Sequence, residues 1–170
     1  MVSAEDIKRI IPGVNIVKFP DLVEYNSMEE LLPYTNDCAV IFFIDEQTPN
    51  KNIGHWTCVM RNGKRYEFFD SYGLSSKEDL EHIAKEKRIR FGEQHDYLKE
   101  LGGGALKHNP VDYQSWSPNI NTCGRFVIMR LLAFMAGITS NKEFYQFMKD
   151  AKKECGARSF DELAVKLTSN

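Results

Sequence analysis

Three residues of this chain have the types and settings of a thiol-based hydrolytic centre. Cys123 opens the apolar stretch Cys123-Gly124-Arg125-Phe126-Val127-Ile128-Met129-Arg130-Leu131-Leu132. A thiol attacks as its thiolate, and the free N–H groups and dipole of a helix start favour that anion. Gly124 removes side-chain bulk where a substrate carbonyl must approach, and the backbone N–H groups beside it can hold an oxyanion. His55, in Gly54-His55-Trp56-Thr57-Cys58-Val59-Met60, supplies an imidazole able to take and return a proton. Asp70, closing Arg65-Tyr66-Glu67-Phe68-Phe69-Asp70, supplies a carboxylate to orient that imidazole. The order is His, Asp, Cys, with the nucleophile last.

Two apolar strands must bring His55 and Asp70 together. Residues 55–60 and 65–70 flank Asn62-Gly63, the strongest short signal for a tight hairpin turn. Antiparallel pairing sets the start of one strand beside the end of the other, so His55 and Asp70 become neighbours. Strand alternation sends Trp56 to the opposite face, where it packs under the site as a substrate-binding residue with Gly124. Thr57 and Val59 share the His55 face, whereas Cys58 does not. Glu67 faces away from Asp70, and Asp45, after the preceding strand, is the second candidate for the orienting carboxylate. Polar residues over 45–54, including Pro49, Asn50, Asn52 and Gly54, predict a loop that delivers His55 at a strand start.

The remaining pattern is that of one domain over residues 1–170. Ser3 and Ser27 begin short helices that end before Pro12 and Pro33. The continuous apolar run Cys38–Ile44 predicts a buried strand. Ser75 or Ser76 caps an amphipathic helix through about Lys87, with Leu80 and Ile83 inward. Val111–Gln114 has the pattern of a short strand, and Gly102-Gly103-Gly104 that of a bend. Asn121 or Thr122 caps a helix from Cys123 to Ala136. Its only charge between 126 and 136 is Arg130, so it is a central buried helix. Helices over 140–151 and 159–167 close the chain.

Composition excludes several classes. With 42% hydrophobic and 12% aromatic residues, the chain can fill a core and is not disordered. A net charge of −2 gives no basic excess for nucleic acid as the main ligand. The charged N-terminus lacks the apolar run of an ordinary signal peptide, and the longest apolar stretches are too short to span a bilayer. Four cysteines, at 38, 58, 123 and 155, form no Cys-x-x-Cys pair, so neither a disulfide framework nor a metal site is expected. His82, His95 and His108 sit in charged or polar settings and are expected on solvated surface. No cofactor is called for by this chemistry.

These motifs resemble the adenovirus maturation protease and the wider group of SUMO and other ubiquitin-like protein proteases. The resemblance rests on His55-Trp56 before a hairpin, on Asp70 after two aromatics with Tyr72-Gly73 beyond, and on Cys123-Gly124 opening an apolar helix. It spans roughly residues 38–136. Pro118-Asn119 ahead of Cys123-Gly124 is similar to the viral branch, including proteases of virophages and other large DNA viruses. The resemblance implies an α+β fold, a central mixed β-sheet packed against helices with the Cys helix at its centre. It also implies cleavage following a Gly-containing motif. The family carries a Gln oxyanion donor shortly before the Cys, but Trp116 and Ser117 stand at the matching positions. Either Gln114 reaches the site or the Trp116 indole N–H replaces it; the Cys123 N–H is the other donor.

The expected function is a cysteine endopeptidase using Cys123, His55 and Asp70 on a capsid precursor or polyprotein during particle maturation. It would act as a monomer in the virion and infected cell, without a membrane partner. The alternative is a deconjugase for a ubiquitin-like modifier; a non-catalytic binding module sits poorly with an intact set of the three residues. Activation by a peptide or DNA, known in the adenovirus enzyme, has no matching signal here.

Overall fold

The computed structural model describes residues 1–48, 51–117 and 119–169. It is an α+β fold around one five-stranded mixed sheet. In chain order the strands are β1 (Asn15–Lys18), β2 (Cys38–Thr48), β3 (Lys51–Asn62), β4 (Arg65–Phe69) and β5 (Leu106–His108), and the spatial order is the same. The pairs β1–β2 and β4–β5 are parallel, and β2–β3–β4 form an antiparallel meander.

Helices cover both faces. On one lie α1 (Ala4–Ile10), α6 (Cys123–Met135), α7 (Asn141–Glu154) and α8 (Phe160–Thr168), packed on Val40, Cys58, Met60 and Phe69. On the other, α2 (Met28–Leu31), α3 (Ser76–Glu81), α5 (Tyr97–Gly102) and a 3-10 turn over Phe19–Glu24 cover Ile41, Phe43, Val59 and Phe68. A further helix, α4 (Lys85–Phe91), touches β2. Alternation along β3 divides its side chains between the two cores.

Serine caps start most helices. Ser3 forms a reciprocal capping box with Asp6, and Ser27, Ser75, Ser140 and Ser159 each accept from the N–H three residues on. Helix α6 is buried at nine of its 13 positions, as a helix between sheet and outer helices must be. Its one interior charge, Arg130, is fully buried and serves the α6–α7 connection. Its guanidinium donates to the carbonyls of Ile138 and Thr139, each at 2.8 Å, and to Asn141 Oδ1 at 3.1 Å.

Three expectations are corrected. Residues 45–48 and 51–54 are paired strands rather than a delivery loop: β2 and β3 run antiparallel, with Phe43 opposite His55 and a bulge between Ile44 and Glu46. Asp45 and Glu46 are exposed, and the backbone pairing determines the structure; Pro49 and Asn50 lie outside the described residues. His55 is thus mid-strand, and Gly54 before it is required, since a Cβ there would collide with the Phe43 carbonyl oxygen. The helix expected through Lys87 ends at Glu81 and restarts at Lys85. Finally, Val111–Gln114 is no strand; the N–H groups of Tyr113 and Gln114 both donate to the Ser71 carbonyl, at 2.8 and 3.0 Å.

Candidate active site

The hairpin fixes one half of the site. Cys58 pairs with Phe69, so continuing the register by one residue sets Thr57 opposite Asp70, with His55 diagonal to it on the same face. His55 Nε2 and Asp70 Oδ1 are 2.7 Å apart. Asp70 is fully buried, and its Oδ1 also accepts from the Tyr72 N–H at 2.8 Å. The Asn109 amide donates to the Asp70 carbonyl, tying this turn to the chain beyond β5. With Nε2 engaged, Nδ1 is the ring nitrogen left for the nucleophile.

Helix α6 supplies the other half. It lies on the opposite face, and its N-terminus brings Cys123 to the cleft that His55 also lines. Burial raises the Cys123 pKa, but the hydrogen bond and charge of His55, with the backbone N–H groups of Trp56 and Gly124, outweigh it and hold it below the ordinary thiol value. Burial lowers the His55 pKa, yet Asp70 and Cys123 more than reverse this and hold it well above the ordinary imidazole value. Opposite shifts of this kind favour a thiolate–imidazolium pair. Thr122 occupies the cap position of α6 without a capping bond; its hydroxyl donates instead to Asp161 Oδ1 at 2.6 Å. The Cys123 thiol donates to Asn121 Oδ1 at 3.6 Å.

A cleft of about 230 Å³ opens over these groups, lined among others by His55, Tyr72, Asp79, Gln114, Trp116 and Cys123. Gln114 is buried; its Oε1 accepts from Ser71 Oγ at 2.7 Å, and Nε2 points to the Ile120 carbonyl at 3.4 Å. That long bond leaves the amide N–H group weakly engaged beside the Cys123 segment. Trp116 is half exposed, and its indole N–H donates to Asp112 Oδ2 at 3.1 Å. Its ring stacks on Tyr72 at 4.0 Å and on His82 at 5.3 Å, while Tyr72 stacks on His55 at 5.1 Å. Trp116 thus joins an aromatic wall. Pro118, in the same loop, lies outside the described residues.

Trp56 is half-buried, tilted against Phe42 at 4.5 Å, and donates its indole N–H to the Val2 carbonyl at 3.2 Å. A Cβ on Gly124 would meet Val2 Cβ at 2.7 Å and the Trp56 ring at 3.2 Å. The missing side chain therefore admits the N-terminal segment and Trp56. Asp45 is exposed at the rim of the same cleft, 3.5 Å from Lys87, and it is Asp70 that bonds His55. Glu67 accepts from Asn62 and Asn141.

Sequence reasoning missed Ser71, Tyr72 and Asp79. The aromatic context of Tyr72 was visible in the chain, but Ser71 and Asp79 carry no local signal. One donor atom each from His55, Asp70 and Asp79 lie within 4.8 Å of one another, the only such cluster among the described residues. The 2.7 Å contact of His55 with Asp70 is a direct hydrogen bond, with no room for an ion between its two atoms.

No family model matches this chain. It is similar to "Uncharacterized protein V9" of Sputnik virophage, 29% identical over 159 residues, covering 90% of this chain and 85% of that protein. Solved structures overlay on it at low scores, two of them as follows. One is SUMO protease Ulp1 with its catalytic cysteine oxidized to a sulfinic acid, at 17% identity and a TM-score of 0.33, covering 80% of this chain and 73% of the other. The second is the C-terminal Ulp1 protease domain in complex with Smt3, the yeast ortholog of SUMO, at 15% identity and a TM-score of 0.34, covering 94% and 72%. Overlays this loose decide nothing about the site, whose chemistry rests on its own geometry.

Proposed function

We propose that this protein is a cysteine endopeptidase that cleaves viral structural precursor proteins after Gly-containing motifs during particle maturation. The observation that carries the reading is a helix-start thiol of lowered pKa in an open cleft, beside an imidazole fixed at 2.7 Å by a buried carboxylate. In this reading His55 holds the proton taken from Cys123, and the thiolate attacks the scissile carbonyl. The resulting oxyanion is met by the Cys123 N–H and the Gln114 amide. The imidazolium then protonates the leaving amine, and water, activated by the neutral ring, hydrolyses the thioester.

Likeness to a virophage protein over most of both chains supports the viral setting. Among the described residues no helix is long and apolar enough to cross a membrane. The test is incubation of the full chain with a virophage capsid precursor, with product masses read by mass spectrometry. Parallel incubations use SUMO and ubiquitin fusions. Cleavage of the precursor after a Gly-containing motif, lost in Cys123→Ala, is the expected result. Cleavage only of a modifier fusion would replace the substrate with a ubiquitin-like protein. No cleavage of either, with equal reactivity of Cys123 and Cys155, would end the thiol-hydrolase reading.

A further inference from the structure

Two buried carboxylate oxygens next to the proposed active site have no partner. With both groups ionised, Asp70 Oδ2 and Asp79 Oδ2 have no donor to accept from, although Asp70 is fully buried and Asp79 is 6% exposed. Both residues contribute to the cluster whose donor atoms lie within 4.8 Å of one another. Two ionised carboxylates in that position would repel and leave two acceptors unsatisfied in a medium of low dielectric. A single proton shared between them removes both problems at once.

Resting on the reading of the site given above, we propose that Asp79 is a positioning residue: as the neutral acid it donates a hydrogen bond to Asp70, keeping Asp70 ionised and its other oxygen on His55. The chain of contacts then runs Asp79, Asp70, His55, Cys123. Asp79 touches neither thiol nor substrate in this role; it acts through Asp70.

The electrostatics agree. Burial raises the Asp79 pKa, and the adjacent Asp70 charge and hydrogen bond raise it further, to well above the ordinary carboxylate value. Glu78, on the same helix, pushes in the same direction, and His55 opposes it. Burial also opposes ionisation of Asp70, but His55 and the hydrogen bond from Asp79 bring its pKa below the ordinary value. Asp96, ahead of α5, is engaged by the Ser76 hydroxyl at 2.9 Å.

Two measurements on the full chain test this without any peptide substrate. The first is the carboxyl ¹³C resonance of Asp79 in aspartate-labelled protein, assigned by its loss in Asp79→Asn. It should report the protonated acid at pH 7; an ionised Asp79 at pH 7 overturns the proposal, and this needs no folded alanine variant. The second is the rate of Cys123 alkylation by iodoacetamide from pH 5 to 10. Asp79→Asn, whose amide can donate in place of the acid, should follow the wild type within about threefold. Asp79→Ala should react about tenfold more slowly near pH 6 and converge with the wild type above pH 9, where any thiol ionises unaided. Equal rates in all three proteins overturn the role, and so does an Asp79→Asn profile as slow as that of Asp79→Ala. Failure of the hydrolase reading is distinct: it appears as a wild-type Cys123 no more reactive than Cys155.

Discussion

Ser71 Oγ donates to Gln114 Oε1 at 2.7 Å, and this bond sets which end of the Gln114 amide meets the nucleophile's segment. With Oε1 taken, the NH₂ group is turned toward Ile120 and the cleft. Gln114→Ala should lower kcat by about 10²–10³-fold, the usual worth of one oxyanion donor. Ser71→Ala should lower kcat by roughly tenfold with little change in KM, because the amide is then free to flip. Trp116→Phe should stay near wild type in kcat, since its N–H is already given to Asp112. A Trp116→Phe enzyme slower than Gln114→Ala would transfer the donor role to the indole.

The four cysteines should label in a fixed order. Burial pushes the Cys38 thiol up to about 12 and raises Cys58 as well, whereas His55 holds Cys123 low. In native protein at pH 6.5, iodoacetamide should modify Cys123 first and exposed Cys155 more slowly, leaving Cys38 and Cys58 untouched. Peptide mapping after timed quenching reads this directly, and Cys123→Ala should abolish hydrolysis.

Activity should follow a bell-shaped pH profile displaced at both limbs. The rising limb should fall below the ordinary thiol value of 9.0, as Cys123 ionises early, and the falling limb above the ordinary imidazole value of 6.5, as His55 keeps its proton longer. His55→Ala should lose nearly all turnover, about 10²–10⁴-fold for the acid–base contribution alone. Asp70→Asn should lose less than His55→Ala, because a neutral group still orients the ring. An unchanged rate in Asp70→Ala, with a loss in Asp45→Ala, would move the carboxylate role to Asp45.

Glu93 should make stability fall as pH rises. Its side chain is buried, accepts from the Ile44 N–H at 2.6 Å, and burial pushes its pKa up to about 7 from 4.5. The folded state therefore binds this proton more tightly than the unfolded chain. The stabilisation is fully present below 4.5 and is lost as pH rises to about 7. Glu93→Gln keeps an acceptor for Ile44 and removes the titration. Relative to that variant, the wild type should lose roughly 1–3 kcal/mol between pH 4.5 and 7.5 in denaturant titrations. Parallel curves for the two proteins would refute it.

The sheet's central hairpin was legible because Asn62-Gly63 leaves one sensible turn, and two strands of known alternation then bring His55 near Asp70. The register made the pair diagonal rather than opposite, a detail that no residue type announces. The paired stretches before Pro49 and after Asn50 were misread because polar residues serve a hairpin strand as well as a loop. Gln114 and Trp116 could not be separated from sequence, since a segment without periodicity gives no direction to its side chains. Asp79 was hidden for a different reason. Lys77-Glu78-Asp79 has the pattern of a solvated helix face, and only the packing of α3 against the sheet takes one of those charges inside.

The aromatic wall has an optical consequence. The chain holds two tryptophans: Trp116 lines the cleft and stacks on Tyr72 and His82, and Trp56 lies behind the nucleophile, adjoining Gly124. Their emission therefore reports on the region around Cys123 rather than on the molecule at large. A peptide settling over the wall would change the solvation of a half-exposed indole and its contact with a quenching imidazole. The protein thus carries its own fluorophore at the mouth of the site, and occupancy by an unlabelled ligand can be followed in real time.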